Sequence, residues 1–437
     1  MKFIHTADWH LGNKMHEVER TKEFENFFNW LKNTIIEEKA EALVVAGDIF
    51  DTANPPTEAK AMYIKFLASL IGSDCRNIII VGGNHDSGSL LDSEKPLLEY
   101  LNIHVVGSVS NIKAEDMVFE LVDKDNKPCC ICCAIPYAHE IELRKYFDEE
   151  SDIGTFSDNA YSGLYNSVLS AAKEKDGGRN LPLIATGHLY AADLEGRFES
   201  YNEEVVCDDG KRKLDIVGKL GLVHSDIFSD EFDYVALGHI HYTTMVGKNP
   251  KIRYSGSPFT LGFDEAGLPR YVLSVEINKG KETSVSKIKI PSYNIYKRIS
   301  GNCESIRKQL QMYDTKQEQT VYVEICYKRE DGININDELE DLITELEDLN
   351  VYVISRKVQV EENDLFDTNY NFDSREVKNL LPEDIFKALI LRNFPEDLSS
   401  LSEEDAEKRK DEVLNSYLSI FMEAYNRAEA NNFGDKK

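Results

Sequence analysis

The sequence predicts a layered α/β sandwich, followed by a small α+β unit and a pair of C-terminal helices. Three observations carry that reading. Short apolar strands alternate with helix-length segments up to residue 290, the texture changes after Pro291, and helical spacing returns beyond residue 381. Strands separated by helices of this length pack as layers.

Taken in order, Lys2 to Ala7 is a short strand. Glu19 to Glu38 carries Phe24, Phe27, Phe28, Leu31 and Ile35 at helical spacing. Ala42 to Ala46 is an apolar strand, Met62 to Ile71 a second helix and Asn77 to Val81 a further strand. Later strands are expected at Lys127–Ile135, Leu183–Thr186, Tyr234–Leu237, Ile252–Tyr254, Tyr271–Ile277 and Ser284–Ile290. Residues 293–360 read as a small α+β unit, with strands at Gln319–Tyr327 and Val351–Val360 flanking an acidic helix from Asp337 to Leu349. Residues 361–380 are polar and rich in Asn and Asp, as in a linker.

Two helices are expected over 381–437. Pro382 suits a first helical turn, and Ser402-Glu403-Glu404-Asp405 suits a capping box. Leu414, Tyr417, Leu418, Phe421, Ala424, Tyr425 and Ala428 form one stripe along the last of them. No internal repeat or low-complexity tract interrupts the chain.

Composition bounds the function. The 437 residues hold 42% hydrophobic side chains, enough for a sizeable core and two to three domains. Lys+Arg number 50 against 78 Asp+Glu, a formal net charge of −28. Such a chain does not coat nucleic acid or an anionic membrane by charge alone. The absence of a long apolar run argues against a transmembrane helix, and the start Met1-Lys2-Phe3-Ile4-His5 lacks an apolar signal segment. Four of the eight Cys crowd into residues 129–133, which is no secreted disulfide framework, so a reducing cytoplasm is expected.

Five clusters at strand ends carry the chemistry. They are Asp8-Trp9-His10, Gly47-Asp48, Gly82-Gly83-Asn84-His85-Asp86, Gly187-His188 and Gly238-His239-Ile240-His241. In an extended backbone residues i and i+2 face the same way, so the Asp8/His10 and His239/His241 pairs can converge on one ion. Ligands collect at the carboxyl ends of strands in open α/β sheets. The donors are oxygen and nitrogen with no thiolate, a set suited to Mn²⁺, Fe²⁺ or Zn²⁺ rather than to Ca²⁺ or Mg²⁺ alone. Two ions about 3.5–4 Å apart need a shared carboxylate, for which Asp48 is the natural candidate. Any one of these clusters is common by itself; five in order, each ending an apolar strand, are not.

This ordered set resembles the calcineurin-like metallophosphoesterase superfamily, and more closely its bacterial nuclease-subunit branch. The matching stretches include His5–Gly12, Val45–Asp51, Gly83–Ser87, Asp233–His241 and Ile252-Arg253-Tyr254-Ser255-Gly256-Ser257-Pro258, continuing to Phe263–Gly267. The match is dense over residues 1–290 and one of layout beyond. It implies an α/β/β/α metallophosphoesterase sandwich with a capping domain at 291–360 and a partner-docking helical region at 381–437.

The resemblance also implies two divalent ions, most suitably Mn²⁺, one held by Asp8, His10, Asp48 and His241 and the other by Asp48, Asn84, His188 and His239. His85 would face the scissile phosphate, oriented by Asp86. The plainer alternative for Asp86 is a turn in which it satisfies backbone amides. Where archaeal and eukaryotic relatives commonly place a histidine after Gly-Asp-x-Phe, this chain has Asp51, so no second helper histidine is carried over. The implied activity is metal-dependent hydrolysis of DNA at double-stranded ends and hairpins, in repair and recombination. Its partner would be a coiled-coil ATPase, with two nuclease subunits in a heterotetramer. No G-x-x-x-x-G-K-[ST] occurs, so any ATP must be bound by that partner.

Weaker features take structural readings. On a strand, Cys129 and Cys133 face one side and Cys130 and Cys132 the other, so the four cannot close one tetrahedral site. His5, His16, His104, His139 and His224 lack partners at ligand spacing. Basic candidates for DNA contact are few: Lys14, Arg20, Lys211-Arg212-Lys213, Lys248, Lys251 and Arg253, of which Lys14, Arg20 and Arg253 lead. Two rivals stand beside the nuclease. A generic phosphoesterase acting on nucleotides or phosphoproteins would need neither the small unit nor the terminal helices. A silent interaction subunit would not need the full ligand set.

Overall fold

In the computed structural model the described residues are 1–148, 155–192, 204–207, 210–213, 222–247, 249–327 and 335–358, with isolated helical positions at 409, 413–414 and 417–418. The chain divides into two compact units, 1–357 and 358–437. The expected linker at 361–380 and the expected helices over 381–437, with Pro382 and the Ser402 box, otherwise lie outside the described residues.

Two six-stranded sheets form the body. The first runs in the order Ser284–Lys289, Tyr271–Glu276, Lys2–Thr6, Ala42–Ala46, Asn77–Val81 and Ile103–Val106. Its last four strands are parallel, and Tyr271–Glu276 pairs antiparallel to Lys2–Thr6. The second runs Thr244–Met245, Ile252–Tyr254, Tyr234–Gly238, Leu183–His188, Pro128–Cys133 and Val118–Val122, parallel through its middle.

Alternation along the strands builds the layers. Phe3, Val44, Ile79 and Val81 face the second sheet, where they meet Cys132, Tyr234 and Val235. Ile4, Leu43, Val45, Ile78 and Ile80 face the helices Thr21–Glu37 and Thr57–Ser69 through Phe27, Phe28, Leu31 and Phe66. The helix Phe156–Asp176 covers the second sheet with Ala160, Leu164, Tyr165 and Val168. The result is the α/β/β/α sandwich. His5 ties the two sheets together, its ring bonded to Tyr234 Oη at 3.0 Å and to the Leu237 carbonyl at 3.2 Å. Burial holds its pKa down at about 3, so it is neutral.

Asn294–Gly301, Thr320–Tyr327 and Val351–Val358 make a third sheet. The helices Cys303–Leu310 and Ile335–Asp348 cover one face, burying Ile306, Leu310, Leu339, Ile343 and Leu346 against Val321, Val323 and Ile325. On this sheet Glu324 is buried, paired with Arg298 at 2.6 Å and Lys357 at 2.8 Å.

Some elements differ from the sequence reading. The second helix begins at Thr57 rather than Met62, directly after Pro56, whose extended ψ of 150° sets the start. The 21-residue helix Phe156–Asp176 is absent from the sequence reading, although Tyr161, Leu164, Tyr165, Val168, Leu169 and Ala172 recur at helical spacing on its buried face. Its ends were marked nonetheless: Thr155 and Asp158 form a capping box, and Gly177 closes it at φ 58°. The strand Asn294–Gly301 was likewise unforeseen. Cys130, Cys132 and Cys133 are fully buried on an interior strand, where burial raises all three thiols.

Trp9 anchors the mouth of the sandwich. Its ring meets Phe27, Phe28 and Phe66 edge-on, at 6.4, 5.0 and 5.6 Å, and its Nε1 donates to Thr6 Oγ1 at 3.0 Å. Trp9→Ala should cost about 3–5 kcal/mol in urea unfolding of the metal-free chain. A loss below about 1 kcal/mol would mean the site's floor does not depend on this packing.

Candidate metal centre

The parallel strands of both sheets deliver their carboxyl ends to one edge of the sandwich. His188 closes the strand Leu183–His188, but other strands stop short of the functional residues. Lys2–Thr6 ends before Asp8, and Tyr234–Gly238 ends before His239. Asp8, His10, Asp48 and His239 have φ of 53°, 45°, 49° and 97°, a left-handed backbone that ordinary residues avoid. Asp8 and His10 therefore converge through a tight turn, not through the extended i, i+2 geometry that the spacing suggested, while His239 and His241 part company: His239 meets Asn84 and His188, and His241 meets Asp8 and His10.

Cross-strand bonds enforce those turns. Asp8 N donates to the Gly47 carbonyl at 3.0 Å, His10 N to the Asp48 carbonyl at 3.0 Å and Leu11 N to the Ile49 carbonyl at 2.9 Å. Glycine is required where these segments cross. A Cβ on Gly47, itself at φ 89°, would run into the His188 ring, and one on Gly83 into the Asp48 carboxylate.

Asp48 lies at the middle. Its Oδ1 accepts from the His85 backbone N–H at 2.9 Å; its Oδ2 is 3.2 Å from His188 Nε2 and 3.6 Å from His10 Nε2. On one side the Asn84 amide oxygen lies 3.0 Å from His188 Nε2 and 2.9 Å from His239 Nδ1. On the other, ligand atoms of Asp8, His10 and His241 lie within 4.8 Å of one another, as do those of Asp8, Asp48 and His188. All seven predicted ligand-type residues thus come together. Asp8 Oδ2 and both ring nitrogens of His10 are buried without a hydrogen-bond partner. Such orphaned donors are costly unless something binds them, and their oxygen and nitrogen chemistry fits divalent cations.

Electrostatics follows from burial and mutual charge. Burial opposes the charged form of His188, but Asp48 and Asp8 beside it hold its pKa up at about 9. Burial and the neighbouring His188 push His239 down to about 3. Asp48 is held well below the usual carboxylate range, with His188 and His10 outweighing its burial.

Outer groups aim several of the rings. His188 Nδ1 donates to the Ala46 carbonyl at 2.9 Å and His241 Nδ1 to Glu265 Oε1 at 2.9 Å, leaving each Nε2 for the site. Glu265 also accepts from Arg270 at 2.7 Å and from Leu261 N at 3.0 Å. Burial works against its ionised form, yet these partners keep its pKa at about 2. Ser257 Oγ donates to the Asp8 carbonyl at 2.7 Å, and Ser257 N to the His241 carbonyl at 3.2 Å. The roles of Glu265, Arg270 and Ser257 were not foreseen. Their signal was the Tyr-Ser-Gly-Ser-Pro stretch and the residues after it, which in the sequence carried only a resemblance.

The calcineurin-like phosphoesterase profile matches residues 1–243. Over 335 residues the chain is 30% identical to the SbcD subunit of the nuclease SbcCD from Escherichia coli (strain K12), covering 74% of this chain and 77% of that one. The SbcD subunits of Rhodobacter capsulatus and Bacillus subtilis (strain 168) are 30% and 28% identical, covering 64% and 67% of this chain and 67% and 70% of theirs. The chain belongs to the SbcD nucleases of the calcineurin-like phosphoesterase family. It is a nuclease, a phosphodiester hydrolase, and membership in this metallophosphoesterase family implies divalent metal. Among the described residues no helix is long and apolar enough to cross a membrane.

Two expectations need correction. Asp86 does not orient His85. Its carboxylate accepts backbone N–H groups from Ile49 at 3.0 Å, Phe50 at 2.9 Å and Gly83 at 2.8 Å, so it pins two site loops together. Burial and the nearby Asp48 raise its pKa to about 6. His85 is exposed, with Nδ1 donating to the Asp51 carbonyl at 2.9 Å. Arg20 is no DNA contact: it is 2% exposed, bonded to Glu23 at 2.8 Å and enclosed by the rings of Phe24, Phe259 and Tyr296. Lys14 is at the surface, paired with Glu19 at 2.6 Å, and Arg253 Nε donates to the Pro250 carbonyl at 2.9 Å. Lys251 is spent on the Asp230 and Phe232 carbonyls. Lys248 and the side chains of Lys211, Arg212 and Lys213 lie outside the described residues.

At pH 7.5 the metal-free His188 keeps its proton, whereas a ligand nitrogen must be neutral. Mn²⁺ binding should therefore release about one proton per chain, and affinity should rise between pH 7 and 9. Calorimetry in buffers of different ionisation enthalpy reads this directly, and a buffer-independent heat would refute it.

Proposed function

We propose that this chain is the nuclease subunit of an SbcCD-type complex, hydrolysing phosphodiester bonds of double-stranded DNA ends and hairpins in repair and recombination. The reading rests on the Asp48 carboxylate, with Oδ2 3.2 Å from His188 Nε2 and 3.6 Å from His10 Nε2. A carboxylate so flanked suits a bridging role. In this reading Asp8, His10, Asp48 and His241 hold one ion, and Asp48, Asn84, His188 and His239 the other. Mn²⁺ is the preferred pair, since the donors mix oxygen with imidazole and include no thiolate. When bound, the pair supplies Lewis-acid charge against the phosphate and lowers the pKa of attacking water.

The chain's own residues do the remainder. Ala46 and Glu265 fix the His188 and His241 tautomers. His85, with Nδ1 engaged by the Asp51 carbonyl, presents Nε2 to the scissile phosphate and donates a proton to the leaving oxygen. Residues 1–290 serve as the nuclease domain, 291–360 as a capping domain and 381–437, beyond the 361–380 linker, as a helix-in-groove docking region for the coiled coil of SbcC. The relatives are named as one subunit of SbcCD, which supports such a partner, and that partner would bind the ATP for which this chain has no P-loop. Two nuclease subunits would complete a cytoplasmic heterotetramer.

Asp48→Asn should cut Mn²⁺-dependent hydrolysis of every substrate roughly a thousandfold, the several kcal/mol that a metal pair supplies. His85→Ala should lose roughly 10²–10⁴-fold while binding as much Mn²⁺ as the parent; loss of both ions would make His85 a ligand instead. Deleting residues 381–437 should abolish SbcC pull-down and spare hydrolysis of bis-p-nitrophenyl phosphate. Purified chain with Mn²⁺ should cleave a labelled duplex, and more so with SbcC and ATP. Cleavage of the small ester alone under all conditions would favour the generic phosphoesterase.

A further inference from the structure

His188 and His241 each have an outer acceptor on Nδ1. For His10 the corresponding group is Asp51. His10 Nε2 faces Asp48 at 3.6 Å, while Nδ1 faces Asp51 Oδ1 at 3.3 Å. That contact lacks full hydrogen-bond alignment, since His10 Nδ1 has no formal partner. The same Asp51 holds His85 by a different atom, its carbonyl oxygen accepting from Nδ1 at 2.9 Å. One residue therefore touches two functional histidines that come from different strand ends, and the rings of those histidines lie 4.9 Å apart.

Asp51 is itself held. Asn13 Nδ2 donates to Asp51 Oδ1 at 3.1 Å, and Asn13 Oδ1 accepts from Arg20 Nη1 at 2.9 Å. Asn13 N also bonds the His10 carbonyl at 2.9 Å, so the loop that carries His10 closes on itself. Behind Asn13, Arg20 Nε donates to Glu23 Oε2 at 2.8 Å, and that oxygen also accepts from Tyr296 Oη at 2.9 Å and Asn294 Nδ2 at 3.2 Å. Tyr296 and Asn294 belong to the strand Asn294–Gly301 of the third sheet. A continuous run of polar contacts thus leads from that sheet through Glu23, Arg20, Asn13 and Asp51 to His10.

We propose that Asp51, held in place by Asn13 and the buried Arg20–Glu23 pair, is a positioning residue: its carboxylate sets the tautomer and aim of His10, and its carbonyl sets those of His85. The inference rests on the reading of His10 as a metal ligand. A carboxylate behind a ligating imidazole fixes the ring and raises its basicity, and removing such a group costs roughly 10–100-fold in metal affinity or activity. Truncating Asp51 leaves its carbonyl, so the His10 and His85 roles separate by substitution. Arg20 is left intact, because removing it would strand Glu23 as an unpaired buried charge and destabilise the fold.

The test titrates Mn²⁺ into full-length chain by calorimetry and by electron paramagnetic resonance, alongside kcat and KM on bis-p-nitrophenyl phosphate and the thermal midpoint. Asp51→Ala should weaken one of the two Mn²⁺ sites roughly 10–100-fold and leave the other within about threefold. At saturating Mn²⁺ its kcat should fall less than about tenfold, because His85 keeps its carbonyl partner. Asp51→Asn, which retains an acceptor, should recover most of the affinity. Asn13→Ala should move the same site in the same direction by a smaller factor. Wild-type Mn²⁺ affinity in Asp51→Ala would overturn the proposal, and so would equal weakening of both sites with a lowered midpoint. Asp48→Asn serves as the control: if it still binds two ions normally, the metal reading fails; if it loses them while Asp51→Ala does not, only the positioning role fails.

Discussion

The site depends on one buried carboxylate held between two sheets. Asp48 is carried past the end of a first-sheet strand, yet its oxygens meet His188 from the second sheet, His10 from a neighbouring turn and the backbone of His85. Asp48 stays ionised despite burial because His188 keeps a proton beside it. Two sheets packed face to face with their parallel strands pointing the same way bring such residues to one edge, and the strained turns then aim them inward.

That strain is offset elsewhere. The left-handed turn at Asp8 is pinned by Gly47 on one side, by Ser257 Oγ on the other and by the His239 backbone N–H, which donates to Asp8 Oδ1 at 2.8 Å. Asp86 spends its carboxylate on three backbone amides. Trp9, between Asp8 and His10, turns the other way and fills an aromatic cluster under the helices. The rigidity of the site is therefore distributed among residues that touch no substrate, a condition for precise geometry at a reacting centre.

The third sheet adds support from a distant part of the chain. Tyr296 packs with Met15 and Phe263, which flank the loops that carry Asn13 and Glu265. Glu265 is the outer acceptor of His241, and Asn13 bonds Asp51, which faces His10. Surface charge points a different way. The net charge of −28 is spread over the whole sequence, and of the three leading basic candidates Arg20 is buried and Lys14 is paired with Glu19. On the proposed reading, the isolated chain would grip DNA weakly and with strong salt dependence, and the partner would supply most of the attraction.

By itself the sequence determined the alternation of elements, the strand boundaries at Ala42–Ala46, Asn77–Val81 and Ile252–Tyr254, and the seven ligand-type residues. These are local signals: apolar period, glycine at strand ends and donor type. The sequence reading missed the helix Phe156–Asp176, whose buried face interleaves Leu164, Val168 and Leu169 with alanine, tyrosine and polar residues, and the left-handed turns that replace extended backbone at Asp8 and His10. Only the tertiary structure decided that Arg20 is buried, that Asp86 serves the backbone, and that Asp51 and Glu265 stand behind His10 and His241. Those facts depend on contacts between segments far apart in the chain, such as Glu23 with Tyr296 and Asp8 with Ser257. A residue's type states what chemistry it can offer, but its partners decide which part of that chemistry remains free.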